Sequence, residues 1–189
     1  MRKVKVVPDT GQQEGMLSKD ILGGMKNACV MPTVKEAAKD FLSQKNIAVA
    51  GVSRDSKQAA NFIYRKLRTE GYTVFAVNPN AATVEGDTCY TDLKAIPVKP
   101  DGVVIVTRPE VTRQVVMECA ELGITYVWIH KGIDQKNHSL SEEAVDLCHQ
   151  HGIHVIPGGC PMMHCRHADI GHRLMRWIFS LSGKLPREL

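Results

Sequence analysis

Ile47-Ala48-Val49-Ala50-Gly51-Val52-Ser53 and Thr73-Val74-Phe75-Ala76-Val77-Asn78-Pro79 decide the fold of this 189-residue chain. Each begins as a short apolar run without polar alternation, the pattern of a strand covered on both faces. The first run closes on a glycine turn and the second on Asn-Pro. A sheet that reads NAD places Asp or Glu about 20 residues past the glycine turn, where the carboxylate accepts bonds from a ribose diol. Asn78 carries no such charge, so a ribose bearing a 3′-phosphate meets no repelling group there, and a nucleotide other than NAD is expected.

Outward from these runs, one junction recurs: Glu70-Gly71-Tyr72-Thr73-Val74, Leu122-Gly123-Ile124-Thr125-Tyr126-Val127 and His151-Gly152-Ile153-His154-Val155. Each reads as a helix ended by a left-handed glycine and followed by a strand. Ala59, Phe62, Ile63, Lys66 and Leu67, then Val111, Val115, Cys119 and Leu122, recur at helical spacing. Pro109 suits the first helical position of the second set. Ser139 and Glu142 form a capping-box signature for a third helix. Strands are expected at 47–52, 73–77, 102–106, 125–129 and 153–156, with Thr88-Cys89-Tyr90 as a short edge strand. The fold class is therefore α/β, a doubly wound, mostly parallel Rossmann-like sheet. Its ligand crevice lies where the strand ends near residues 52, 78 and 107 converge.

Flanking segments complete the organisation. Residues 1–45 read as an N-terminal extension with a leading helix from Thr33 to Gln44, 46–163 as the sheet domain, and 164–189 as an amphipathic C-terminal helix extension. On that last helix Ile170, Leu174, Trp177, Ile178 and Leu181 share one face, suited to its own sheet or to a second copy of the chain.

Composition narrows the function classes. A net charge of +4 and 5% aromatic residues give no basic stacking groove, so nucleic acid is not an expected partner. No run of apolar residues reaches membrane-spanning length and no export signal is visible, so a cytoplasmic protein with free thiols is expected. The segment Cys160-Pro161-Met162-Met163-His164-Cys165-Arg166-His167, with His172 beyond, matches no zinc spacing, and no metal site is expected.

Gly51-Val52-Ser53, Asn78-Pro79, Cys89-Tyr90-Thr91-Asp92-Leu93, Arg108-Pro109 and Cys160-Pro161 occur in this order at α/β spacing. In this the chain resembles the CoA-binding domain proteins, short bacterial relatives of the amino-terminal domain of the succinyl-CoA synthetase α subunit. The resemblance spans roughly residues 46–163. It implies coenzyme A or an acyl-CoA as ligand, and no reaction. The phosphohistidine domain of the synthetases has no counterpart in this length of chain.

The expected ligand residues follow. Gly51, Val52 and Ser53 turn the chain toward a helix whose first N–H groups favour an anion, with Lys57 within reach of a phosphate. Val77, Asn78 and Pro79 face Thr107, Arg108 and Pro109 across an adenine and ribose site, and the planar Arg108 fork suits phosphate oxygens. Lys131 and Gly132 line the path of the pantetheine arm, and Cys160 lies near the strand ends. Neither a nucleophile elbow nor a carboxylate pair is present, so a sensor, carrier or regulatory module without turnover is expected. An NAD(P)-binding oxidoreductase or redox sensor on the same sheet, and an accessory subunit of an acyl-CoA enzyme, remain the alternatives.

Overall fold

In the computed structural model, which describes residues 33–132 and 139–165, Thr33 opens the first helix, α1 (Val34–Phe41), through a reciprocal capping box. Its hydroxyl accepts from the Glu36 N–H, and the Glu36 carboxylate accepts from the Thr33 N–H at 2.9 Å. The helix stops at Phe41, earlier than the expected Gln44, where the Ser43 hydroxyl donates to the Asp40 carbonyl at 2.7 Å. From there the chain runs β1 (Asn46–Ala50), α2 (Ala59–Thr69), β2 (Thr73–Val77), β3 (Thr83–Val84), β4 (Asp87–Tyr90), β5 (Gly102–Ile105), α3 (Pro109–Leu122), β6 (Tyr126–Ile129), α4 (Glu142–Gln150) and β7 (His154–Pro157). A short 3₁₀ turn follows at Pro161–Met163.

The seven strands form one sheet in the order β3-β4-β2-β1-β5-β6-β7. All pairings are parallel except β3 with β4. The chain thus leaves β1 in one direction through β2 and β4 and in the other through β5, β6 and β7, which makes the sheet doubly wound with its switch point between β1 and β5. The expected edge strand at Thr88–Tyr90 lies one place inside the edge, because the two-residue β3 pairs outside it across the turn Glu85-Gly86. Both turn residues have positive φ, 51° and 83°, as a tight two-residue hairpin requires.

Each face of the sheet has its own core. Ile47, Val49, Val104, Trp128 and Ile156 point toward α1 and α2, and pack with Phe41, Ile63 and Leu67. Ala48, Ala50, Val103, Ile105, Val127 and Ile129 point the other way, toward α3 and α4, and pack with Val116, Cys119, Ala144 and Cys148. The period-2 alternation of a strand produces this division directly. Phe41 meets Trp128 edge-on, with ring centres 5.5 Å apart, and the indole N–H donates to the Gly158 carbonyl at 2.9 Å.

Glycine ends the helices as expected: Gly71, Gly123 and Gly152 all have positive φ. The capping signature before α4 needs correction. Ser141 caps that helix, its hydroxyl accepting from the Ala144 N–H. Ser139 is buried, and its backbone is held by Thr112 and His130 instead. Among the described residues, Cys89, Cys119, Cys148, Cys160 and Cys165 are free and buried, and no helix is long and apolar enough to cross a membrane. The amphipathic segment expected at 168–182, with His167 and His172, lies outside the described residues, as do residues 1–31.

Candidate functional site

Where β1, β2 and β5 end, a crevice of about 510 Å³ opens on the α3 side of the sheet. That volume falls within the span of roughly 300–1,000 Å³ common for small-molecule sites. Gly51, Val77, Asn78, Pro79, Thr107 and Arg108 all line it. It therefore joins the turns after the first, second and fifth strands, at the switch point.

Gly51 is fixed by backbone geometry. It has φ +101°, and a Cβ there would come within 2.2 Å of the Val106 carbonyl oxygen. The residue lets the ends of β1 and β5 approach each other, and its N–H donates to the Val77 carbonyl at 2.9 Å. Val52, beside it, is fully buried in the core under α2.

Asn78 serves as a clamp. Its side-chain amide donates to the Val52 carbonyl at 2.7 Å, and its side-chain oxygen accepts from the Asn80 N–H at 2.8 Å. Its own N–H donates to the Tyr90 carbonyl at 2.8 Å. One residue thereby ties the ends of β1, β2 and β4, and Pro79 emerges from it as the exposed lip of the crevice. An aspartate could not donate to Val52, which explains the amide at this position.

Across the gap, Arg108 is the N-cap of α3 and Pro109 its first helical residue, as expected. The Arg108 side chain is exposed and has no ion-pair partner among the described residues. Thr107 lies next to it, its hydroxyl 3.1 Å from that of Thr112. Thr112 is fully buried and donates to the Ser139 carbonyl at 2.8 Å, so the Thr107 hydroxyl is the donor of that pair.

The other expected residues stand apart from the crevice lining. Ser53 and Lys57 belong to a turn with several hydrogen bonds of its own. The Ser53 N–H donates to the Asn61 side-chain oxygen at 2.9 Å, the Asp55 N–H to the Ser53 hydroxyl at 3.1 Å, and the Lys57 N–H to the Asp55 carboxylate at 3.1 Å. Hydrogen bonds from Gln58 and from the Lys57 N–H hold the Asp55 carboxyl below its ordinary range, so a negative charge stands in the turn. The exposed cations Arg54 and Lys57 flank that charge in the same turn. Lys131 is exposed at the end of β6 with its N–H on the Gly159 carbonyl, and Gly132 lies against His130. Cys160 is buried with Trp128 and Met163 on the opposite face of the sheet, and desolvation pushes its thiol up to about 12.

Part of the crevice was not foreseen. Thr91, Asp92, Leu93 and Lys94, after β4, form its third wall, and Val111, Val115 and Glu118 of α3 form its floor and far end. Val111 and Val115 had read as a core stripe. The signal was present in the run Cys89–Leu93, because a buried Leu93 demands a partner, and the Glu118 carboxylate accepts from its N–H at 3.1 Å. Among the described residues, no three His, Cys, Asp or Glu side chains are grouped to hold a metal ion.

Comparison with known proteins agrees with this fold. The family model of the CoA binding domain matches residues 45–166. The α subunit of ADP-forming acetate–CoA ligase II from Pyrococcus furiosus is 28% identical over 137 residues, which are 69% of this chain and 30% of that subunit. The chain thus spans less than a third of the length of that relative. A solved structure of a hypothetical protein from Pyrococcus horikoshii shares the fold with a TM-score of 0.65 and 25% identity, covering 72% of this chain and 92% of that one. The dinucleotide-forming acetyl-coenzyme A synthetase 1 of Candidatus Korarchaeum cryptofilum superposes with a TM-score of 0.52 and 28% identity over 59% of this chain and 25% of its own. With the matched segment covering more than half of the sequence and the whole sheet, the chain belongs to the CoA-binding domain family.

Proposed function

We propose that this chain binds coenzyme A or an acyl-CoA in the crevice between Asn78-Pro79 and Thr107-Arg108, as a sensor, carrier or regulatory module without turnover of its own. The observation that carries the reading is Arg108. It is a cation without an ion-pair partner among the described residues, at the N-terminus of a 14-residue helix and at the switch point of a CoA-binding-domain sheet. Its fork and the positive end of α3 favour phosphate oxygens together. Pro79 supplies a flat apolar lip for the base. NAD is disfavoured because Asn78, with its amide on the Val52 carbonyl and its oxygen on the Asn80 N–H, presents no carboxylate to a ribose diol at the end of β2.

A second reading has its own support. The acetate–CoA ligase relative is a subunit more than three times the length of the matched segment. A domain of this kind can present the nucleotide to a partner enzyme that acts on acyl-CoA.

Thermal-shift titration against CoA, acetyl-CoA, NAD, NADP and ATP tests the proposal. A ligand at 100 times its dissociation constant stabilises by about 2.7 kcal/mol. CoA or acetyl-CoA is expected to raise the unfolding temperature while NAD leaves it unchanged. A shift with NADP and none with CoA overturns the reading. Steady release of free thiol from acetyl-CoA incubated with the protein contradicts the absence of turnover.

A further inference from the structure

The crevice has a charge polarity along α3. Arg108 caps the N-terminus, and Glu118 lies further down the same helix, roughly 15 Å away at 1.5 Å rise per residue. Val111, Val115 and Glu118 follow at helical spacing and face the crevice together, so an apolar floor connects Arg108 to the Glu118 carboxylate, and Lys94 near that carboxylate is ion-paired with Glu121. Leu93 and Val77 continue that floor from the other side. Asp92, the other acid in the lining, is occupied by the Ala95 N–H at 2.9 Å and the Thr91 hydroxyl at 3.0 Å. Glu118 is only half occupied. Oε2 accepts from the Leu93 N–H, which fixes the carboxylate, while Oε1 accepts no hydrogen bond among the described residues.

A phosphorylated nucleoside fits this polarity in one direction only: phosphates toward Arg108, and a hydrogen-bond donor of the base toward Glu118. A fixed carboxylate oxygen at the end of an apolar slot favours a donor over an acceptor, since a carboxylate oxygen can only accept and acceptor facing acceptor is repulsive. We infer that Glu118 is a specificity-determining residue that accepts a hydrogen bond from the exocyclic amine of a 6-aminopurine, with Oε1 as the acceptor. This rests on the CoA reading above and adds to it the orientation of the nucleotide and the group that reads its base.

The experiment compares CoA with its counterpart in which the 6-amino group is replaced by hydrogen, by calorimetric titration of the wild-type chain and of Glu118→Gln. The variant keeps an oxygen for the Leu93 N–H and turns an amide donor toward the base, so the Leu93 turn remains capped. Wild-type protein is expected to prefer CoA over the deaminated counterpart by roughly tenfold or more. In Glu118→Gln the preference falls to within about threefold of unity or inverts, because donor then faces donor. A wild-type preference near unity, or one that Glu118→Gln leaves unchanged, overturns the role of Glu118 while the CoA site stands. Binding of neither compound overturns both.

Discussion

Two turns occupy equivalent places in this fold, each leading from the end of a central parallel strand into a helix N-terminus, and they differ in how their polar groups are engaged. The turn after β1, Gly51 to Gln58, is closed. The N–H groups of Ser53, Asp55, Lys57 and Gln58 are bonded within the loop or to Asn61, and Asp55 keeps a negative charge there. Asn61 also donates to the Ser53 carbonyl and to Glu85, each at 2.7 Å, and Arg65 joins Glu85 at 2.6 Å, so the turn is latched to the β3–β4 hairpin. The turn after β5, Thr107 to Pro109, is open. Its cation is exposed, and only Thr107 and the Arg108 carbonyl are engaged, through the buried Thr112. Equivalent topology therefore does not impose equivalent hydrogen bonding; what separates the two is how far their backbone N–H groups already have partners.

The largest expected effect is on the closed turn. Asn61→Ala removes three hydrogen bonds from a fully buried position and leaves Ser53 and Glu85 unsatisfied, with an expected loss of about 3 kcal/mol in urea unfolding. A loss below about 1 kcal/mol would show that the latch is not what closes the turn.

Next comes a pH effect on the open side. His130 is buried at the end of β6, its N–H on the Ile105 carbonyl, and desolvation lowers its pKa from 6.5 to about 4. The native state thus holds the imidazole neutral while the unfolded chain protonates it near pH 6.5. Stability is complete above that value and declines as pH falls toward 4, by on the order of 3 kcal/mol. Hydrogen exchange at pH 5 should loosen the ends of β5 and β6 before the β1 turn, and His130→Gln should flatten the decline in unfolding free energy. A decline of unchanged slope in that variant removes His130 as its cause.

Smaller still are the effects of surface charge on stability, and here the two turns part in binding. Arg108→Ala is expected to weaken CoA binding by roughly tenfold to a hundredfold, the range of a lost charge-assisted hydrogen bond, with unfolding changed by less than about 0.5 kcal/mol. Lys57→Ala on the closed turn should leave both unchanged. Equal loss of affinity in the two variants would erase the distinction between the turns.

Much of this fold can be read from residue order alone. Gly71, Gly123 and Gly152 mark helix ends because their backbones are left-handed, and the apolar runs after them can only be buried strands. The β3–β4 hairpin was not legible. Glu85 takes a positive φ at a turn where Asn or Asp is the usual choice, and it is held there by Asn61 and Arg65, far away in sequence. The cap of α4 was misread for a related reason: Ser139 and Ser141 both look like caps, and only the tertiary bond from Thr112 claims the first. At the site, Asn78, Pro79, Thr107 and Arg108 were visible as residues at strand ends. The closure of the Ser53–Lys57 turn and the acidic end at Glu118 depend on partners that sequence spacing does not show.

A crystal structure of the protein grown with CoA tests the central claim most directly. The account predicts adenine against Pro79, with a phosphate on Arg108 and the turn Ser53–Lys57 unliganded. Phosphates bound by the N–H groups of that turn, with the crevice empty, would contradict it.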